Sequence, residues 1–154
     1  MSLPRATVIG LPLDLTESFR PGTATGPGRI REVAESLEDY SPRLDADLAD
    51  REINDLGDLD FANCSITEAL DHIERSVSPH FKNGFVLAYG GEHTATLPMI
   101  RAAVRQYPDL AVVHFDAHLD IREDYDGEPI THATWANVVG TEVGFDRLIQ
   151  LGVR

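Results

Sequence analysis

Cysteine, lysine and tryptophan each occur once in the 154 residues, and no apolar run approaches the ~20 residues that would cross a bilayer. The lone Cys64 excludes a disulfide framework and a cysteine-based zinc cluster. With Lys82 the only lysine, 13 basic side chains face 26 acidic ones, for a formal net charge of -13. Phosphates are repelled by such a chain, so nucleic acid is not the expected partner. A cationic small molecule, metal ions or a high-salt environment that screens self-repulsion all fit; so does an ordinary acidic cytosolic protein. The start of the chain, MSLPRATVIGLP, is too short and too polar to read as a signal peptide. The expectation is a soluble cytoplasmic protein with no membrane contact. The length allows one domain with a real core.

Short apolar runs alternate with helical patterns. Residues 6–11 (ATVIGL) read as a buried strand, and the Gly/Pro-dense 18–28 as loop. Residues 28–40 place Ile30, Val33, Ala34 and Leu37 at helical spacing, with Pro27 near the helix start. Residues 41–51 are polar and read as a surface connection, and 53–59 as a weak strand. Ser65 and Glu68 form a capping-box pattern, opening a helix with Ile66, Ala69, Leu70, Ile73 and Val77 on one face. A strand over 85–89 follows, then a helix from Thr96 or Leu97 with Leu97, Ile100, Val104 and Tyr107 inward. Residues 110–115 are a strand, 122–131 an acidic loop, 132–139 a short helix, and 147–153 the start of another strand. This alternation predicts βαβ units and a parallel sheet with helices on both faces. Ligands of such sheets bind beyond the carboxyl ends of the strands.

Two stretches carry chemistry. Residues 110–120 (LAVVHFDAHLD) run from an apolar strand into Asp116, His118 and Asp120. Side chains two apart on a strand share a face, so extended backbone through Asp120 would converge all three. Residues 85–93 (FVLAYGGEH) repeat the plan and end on His93. Carboxylates mixed with imidazoles suit a borderline-hard ion such as Mn²⁺, Zn²⁺ or Fe²⁺, and two close ions lower the pKa of a bound water. An Asp-rich loop of an acidic protein can equally be plain solvated surface. His132 reads as a proton shuttle or as a surface histidine at a helix start. His114 lies on the face of Asp116 but deeper, as core or as support to a ligand. Glu92 reads as a turn residue, Tyr89 and Trp135 as packing, and Gly90–Gly91 as a place for positive φ or close backbone approach.

With these residues assembled, the chain resembles the ureohydrolase (arginase-like) family over nearly its whole length. The resemblance is carried by SFRPGTATGPGRIRE, YGGEHTATLPMIRA, VVHFDAHLDIREDYDGEPITHATW and LIQLGVR. It implies a three-layer α/β/α fold with a parallel sheet and a centre of two Mn²⁺ ions. By that resemblance His93, Asp116 and Asp120 ligate one ion, His118 ligates the other, and Asp116 bridges. A metal-held hydroxide would attack the guanidinium carbon of a cationic guanidino substrate, agmatine above all, giving urea and putrescine. His132 matches the position that delivers a proton to the leaving amine. The family's third motif, S-x-D-x-D, and its later guanidinium-binding glutamate are absent. One ion is then left with three protein ligands and the other with two. In the family's sheet order, two strands of the missing half lie between the strand before His93 and the strand before Asp116. Residues 1–154 are therefore expected to be the N-terminal part of a single ureohydrolase domain, incomplete and inactive alone, from a domain that in complete form is a homo-oligomer. The alternative is a non-catalytic metal-binding or assembly module that joins a full-length relative.

Overall fold

The computed structural model describes residues 5–82 and 84–154. Met1–Pro4, part of the stretch read as unlike a signal peptide, lie outside the described residues. The elements run β1 (Arg5–Leu11), α1 (Gly26–Ala34), β2 (Tyr40–Ser41), β3 (Ala46–Asp47), β4 (Ile53–Asp58), α2 (Ile66–Val77), β5 (Gly84–Gly90), α3 (Thr96–Gln106), β6 (Val112–Phe115), α4 (Trp135–Val143) and β7 (Leu148–Leu151). Among the described residues, no helix is long and apolar enough to cross a membrane.

The strands form a parallel sheet in the order β4-β1-β5 and a separate parallel pair β6-β7; β2 and β3 make a small antiparallel hairpin within the polar 41–51 connection. Strands β5 and β6 do not pair with each other. This is an α/β architecture of the incomplete three-layer kind. Central β1 is buried on both faces. Its Ile9 and Leu11 join Leu13, Ala69, Leu70, Ile73, Val77, Leu97, Ile100, Trp135 and Val139 in one core, packed by α2, α3 and α4. Burying such side chains contributes roughly 1.5–3 kcal/mol each. On the opposite face Arg31 of α1 pairs with Asp55 and Asp58 of β4.

Local rules explain the elements that match expectation. Ser65 and Glu68 do close a capping box, and Ala69, Leu70, Ile73 and Val77 are the buried face of α2. Elsewhere the structure departs from the periodicity. Helix α1 stops at Ala34, where Ser36 Oγ turns back to Val33 O at 2.7 Å. Ile30, Val33 and Leu37 are exposed, because α1 is held by Pro27 and Arg31 rather than by its apolar stripe. Tyr107 is also exposed; it sits at the C-cap of α3 and its hydroxyl donates to Phe81 O at 2.7 Å. The last helix begins at Trp135, not at 132. Unlike β1, the strands β5, β6 and β7 are covered on one face only. Phe85 and Leu87 of β5, Val113 and Phe115 of β6, and Ile149 and Leu151 of β7 are exposed.

Candidate metal centre

The exits of β5 and β6 are brought together by backbone, not by an extended strand. After β5 the chain passes Gly91, whose N–H donates to Leu11 O at 2.8 Å. A Cβ on Gly91 would lie 2.2 Å from Leu13 O, so only glycine lets the loops after β1 and β5 run side by side. Of the two roles offered for the glycine pair, close approach is the one used here. A short 3-10 turn, His93–Ala95, then presents His93 and leads into α3.

Strand β6 ends at Phe115, one residue before the ligand-type side chains. The expected extended run through Asp120 does not occur. Asp116 Oδ1 accepts the His118 backbone N–H at 2.7 Å, a local turn that competes with the strand. Asp120 then takes a left-handed φ of 54°, which aspartate tolerates better than most residues. Its carbonyl accepts the N–H groups of Ala136 and Asn137 at 3.2 and 3.3 Å, at the start of α4, and its Oδ2 accepts Trp135 Nε1–H at 3.0 Å. Helix α4 thus anchors Asp120 where a strand would not have placed it.

The result is a cluster. His93 Nδ1 lies 3.1 Å from Asp120 Oδ2 and 3.4 Å from Asp116 Oδ2. One donor atom each from His93, His114, Asp116 and Asp120 falls within 4.8 Å of the others. The His93 ring packs against both Trp135 and His114, with centroids 4.5 and 4.9 Å away. Burial pushes the His93 imidazole below its ordinary value, against the opposing pull of Asp120. The accepted His118 N–H holds the Asp116 carboxyl below the usual carboxylate range. A neutral imidazole and an ionised carboxylate are the ligating forms, so this donor set fits a divalent ion.

His118 stands apart from those four donors. Its side chain is 81 % exposed, with Nδ1 3.2 Å from Asp116 Oδ1. It therefore touches the same carboxylate from the solvent side. His132 lies in the turn before α4, not on it. Its N–H donates to Thr16 Oγ1 at 3.0 Å, and its Nδ1 faces Thr16 O at 2.5 Å. A carbonyl can only accept, so Nδ1 carries the proton and Nε2 is left for exchange. A cleft of about 410 Å³ is lined by His93, Asp116, His118, Asp120 and His132 together with Glu17, Phe19 and Arg20.

Four contributors were not singled out for these roles by sequence. Buried Glu92 accepts from Leu15 N, Thr16 N and Thr16 Oγ1, and so fixes the loop that holds His132. Thr16, Trp135 and Gln150 act across 15 to 116 positions. Only Glu92 had a local sign, a carboxylate beside His93 at a strand exit.

Comparison with known proteins places the chain in a family. The family described as "Arginase family" matches residues 4–154. The chain is 44% identical over 150 residues to an agmatinase of Bacillus subtilis, covering 97% of this chain and 52% of that protein. It is 33% identical over 153 residues to a guanidinobutyrase of Pseudomonas aeruginosa, covering 97% and 48%. The solved proclavaminate amidino hydrolase from Streptomyces clavuligerus superposes with a TM-score of 0.86 at 29% identity, covering 98% of this chain and 52% of that one. The chain spans about half the length of the curated relatives it matches.

Proposed function

The chain belongs to the arginase family, and from that premise we propose that it forms the N-terminal part of one ureohydrolase domain, acting on a guanidino group. The substrate we favour is agmatine, hydrolysed to putrescine and urea. His93, Asp116 and Asp120 would hold one Mn²⁺ and His118 a second, with Asp116 shared between them. Two such ions supply a water of lowered pKa as nucleophile near neutral pH. The side chains of this chain do the rest. Asp116 and Asp120 carry the negative charge that offsets two nearby dications. Glu17, whose buried Oε2 has no hydrogen-bond partner, lines the same cleft and favours a cationic ligand. His132, with Nδ1 bonded to Thr16 O, keeps Nε2 open to take up a proton from solvent and hand it to the leaving amine nitrogen.

The observation that carries this reading is the convergence of His93 with Asp116 and Asp120 at the exits of two strands. The remaining carboxylate ligands would come from the rest of the domain, in this chain or in another, and the complete form would be a homo-oligomer. Urea release from agmatine, 4-guanidinobutyrate and arginine, measured with Mn²⁺ present, tests it. The 154-residue chain alone releases none, and adding the C-terminal half of the Bacillus subtilis relative restores release, fastest from agmatine. Turnover by the homogeneous chain alone would overturn the half-site; a stable reconstituted complex with no turnover would overturn the hydrolase. The exposed faces of β5, β6 and β7 favour a second reading, an assembly module, which predicts that association without catalysis.

A further inference from the structure

We infer that Gln150 is a positioning residue of the metal centre: through the tautomer it imposes on His114, it keeps that imidazole out of the ligand set with its Nε2–H facing Asp116. Gln150 and His114 are paired residues of the parallel ladder β6-β7. The Gln150 amide nitrogen lies 2.6 Å from Leu119 O and 3.0 Å from His114 Nδ1. The Leu119 carbonyl can only accept. Reversing the amide would set its oxygen against that carbonyl, so the nitrogen end is fixed there, and it donates both of its protons. His114 Nδ1 must then accept, which leaves the ring proton on Nε2.

His114 Nε2 is buried and has no hydrogen-bond partner. The carboxylate oxygen near it is Asp116 Oδ2, at 3.6 Å, too long for a hydrogen bond but close enough for the sign of the facing atom to matter. A proton there attracts the carboxylate; a lone pair would repel it. A ligating nitrogen needs that lone pair, so the tautomer removes His114 from the four donors that proximity brings together. The ring instead fixes Asp116 from behind, as groups outside the ligand set commonly do. The tautomer argument is independent of the hydrolase reading; its consequence for affinity rests on the metal-binding part of that reading.

The test is the ¹H–¹⁵N imidazole correlation spectrum of the metal-free 154-residue chain, at a pH where the ring is neutral, with Mn²⁺ titrated calorimetrically beside it. His114 of the wild type is protonated at Nε2 only. Gln150→Glu places an acceptor opposite Nδ1, and His114 gains a proton there. Gln150→Met keeps the volume but removes the donor, so the tautomers mix and Mn²⁺ affinity falls about tenfold, the low end for loss of an outer partner. An Nδ1-protonated ring in the wild type overturns the inference, as does a Gln150→Met chain with unchanged tautomer and affinity. A wild type that binds no Mn²⁺ would sink the metal site itself, while the spectrum still decides the role of Gln150. If Gln150→Glu does not fold, the isosteric Met variant carries the test.

Discussion

Glu92 holds Thr16 at both ends of the residue, accepting its backbone N–H at Oε1 at 2.9 Å and its hydroxyl at Oε2. Thr16 in turn holds His132 by backbone and ring. The buried carboxylate is therefore linked to the histidine of the cleft across the loop after β1.

Replacing Glu92 by Ala leaves Leu15 N–H and Thr16 N–H without their acceptor, while the Thr16 hydroxyl keeps Thr94 Oγ1 at 2.8 Å. A buried donor left unpaired costs about 1–3 kcal/mol, and water recovers part of that in a half-buried loop, so the net loss should be about 2–3 kcal/mol. Urea denaturation measures it. Glu92→Gln keeps one oxygen and should lose about half as much. If Glu92→Ala is as stable as wild type and the His132 ring resonances do not move, the linkage is wrong.

Asp116 and Asp120 meet His93 within 3.4 Å, and each should be needed for metal. Asp116→Asn and Asp120→Asn are expected to weaken Mn²⁺ binding by more than the about 10–100-fold typical of an outer-shell change. His118→Ala should leave the first ion in place and abolish a second, because His118 reaches Asp116 from the exposed side. Calorimetric stoichiometry separates the two cases. Equal losses from all three variants would contradict the division of ligands.

Arg31 grips Asp55 through two nitrogens, at 2.7 and 2.9 Å, and also pairs with Asp58. The Arg31 guanidinium holds the Asp55 carboxyl below the ordinary carboxylate range. A depressed folded-state pKa contributes stability above the unfolded value, about 3.9 for Asp, and loses it as pH falls through the folded value. Since the pair is half exposed, solvent and salt screen it to about 1 kcal/mol. Arg31→Met should lower stability by that amount at pH 7 and flatten the acid limb of the stability profile below about pH 4. An unchanged acid limb would mean that the pair does not set it.

What the sequence made legible was local. The Ser65–Glu68 cap and the alternation of strand and helix follow from neighbours three or four apart, and the structure keeps them. The strand exits carrying His93 and Asp116 were readable for the same reason. The route to Asp120 was not, because period-two reasoning assumes extended backbone, whereas the Asp116 turn and the start of α4 set the chain direction there. Helical spacing lines Ile30 and Val33 along α1, yet they meet no covering layer among the described residues. Glu92 with Thr16, and Gln150 with His114, depend on contacts 76 and 36 positions apart, which no local pattern encodes.

That uncovered surface yields the last prediction. Val113 pairs with Ile149 and Phe115 with Leu151, and all four side chains stand exposed on the far face of β6-β7, Phe115 at 77 %. Parallel strands normally carry cover on both faces. Here β6 also has no partner on the side away from β7 among the described residues. An apolar face beside an unpaired strand edge is a template for another chain. The 154-residue chain should therefore become heavier than a monomer as its concentration rises, as read by light scattering. Phe115→Lys and Val113→Lys place charge on that face and beside that edge, and each should return the chain toward monomer. Leu44→Lys is the control, since Leu44 is equally open to solvent but sits by the β2-β3 hairpin. If all three variants associate alike, the association belongs to general surface apolarity, and the β6-β7 face has no special claim to a partner.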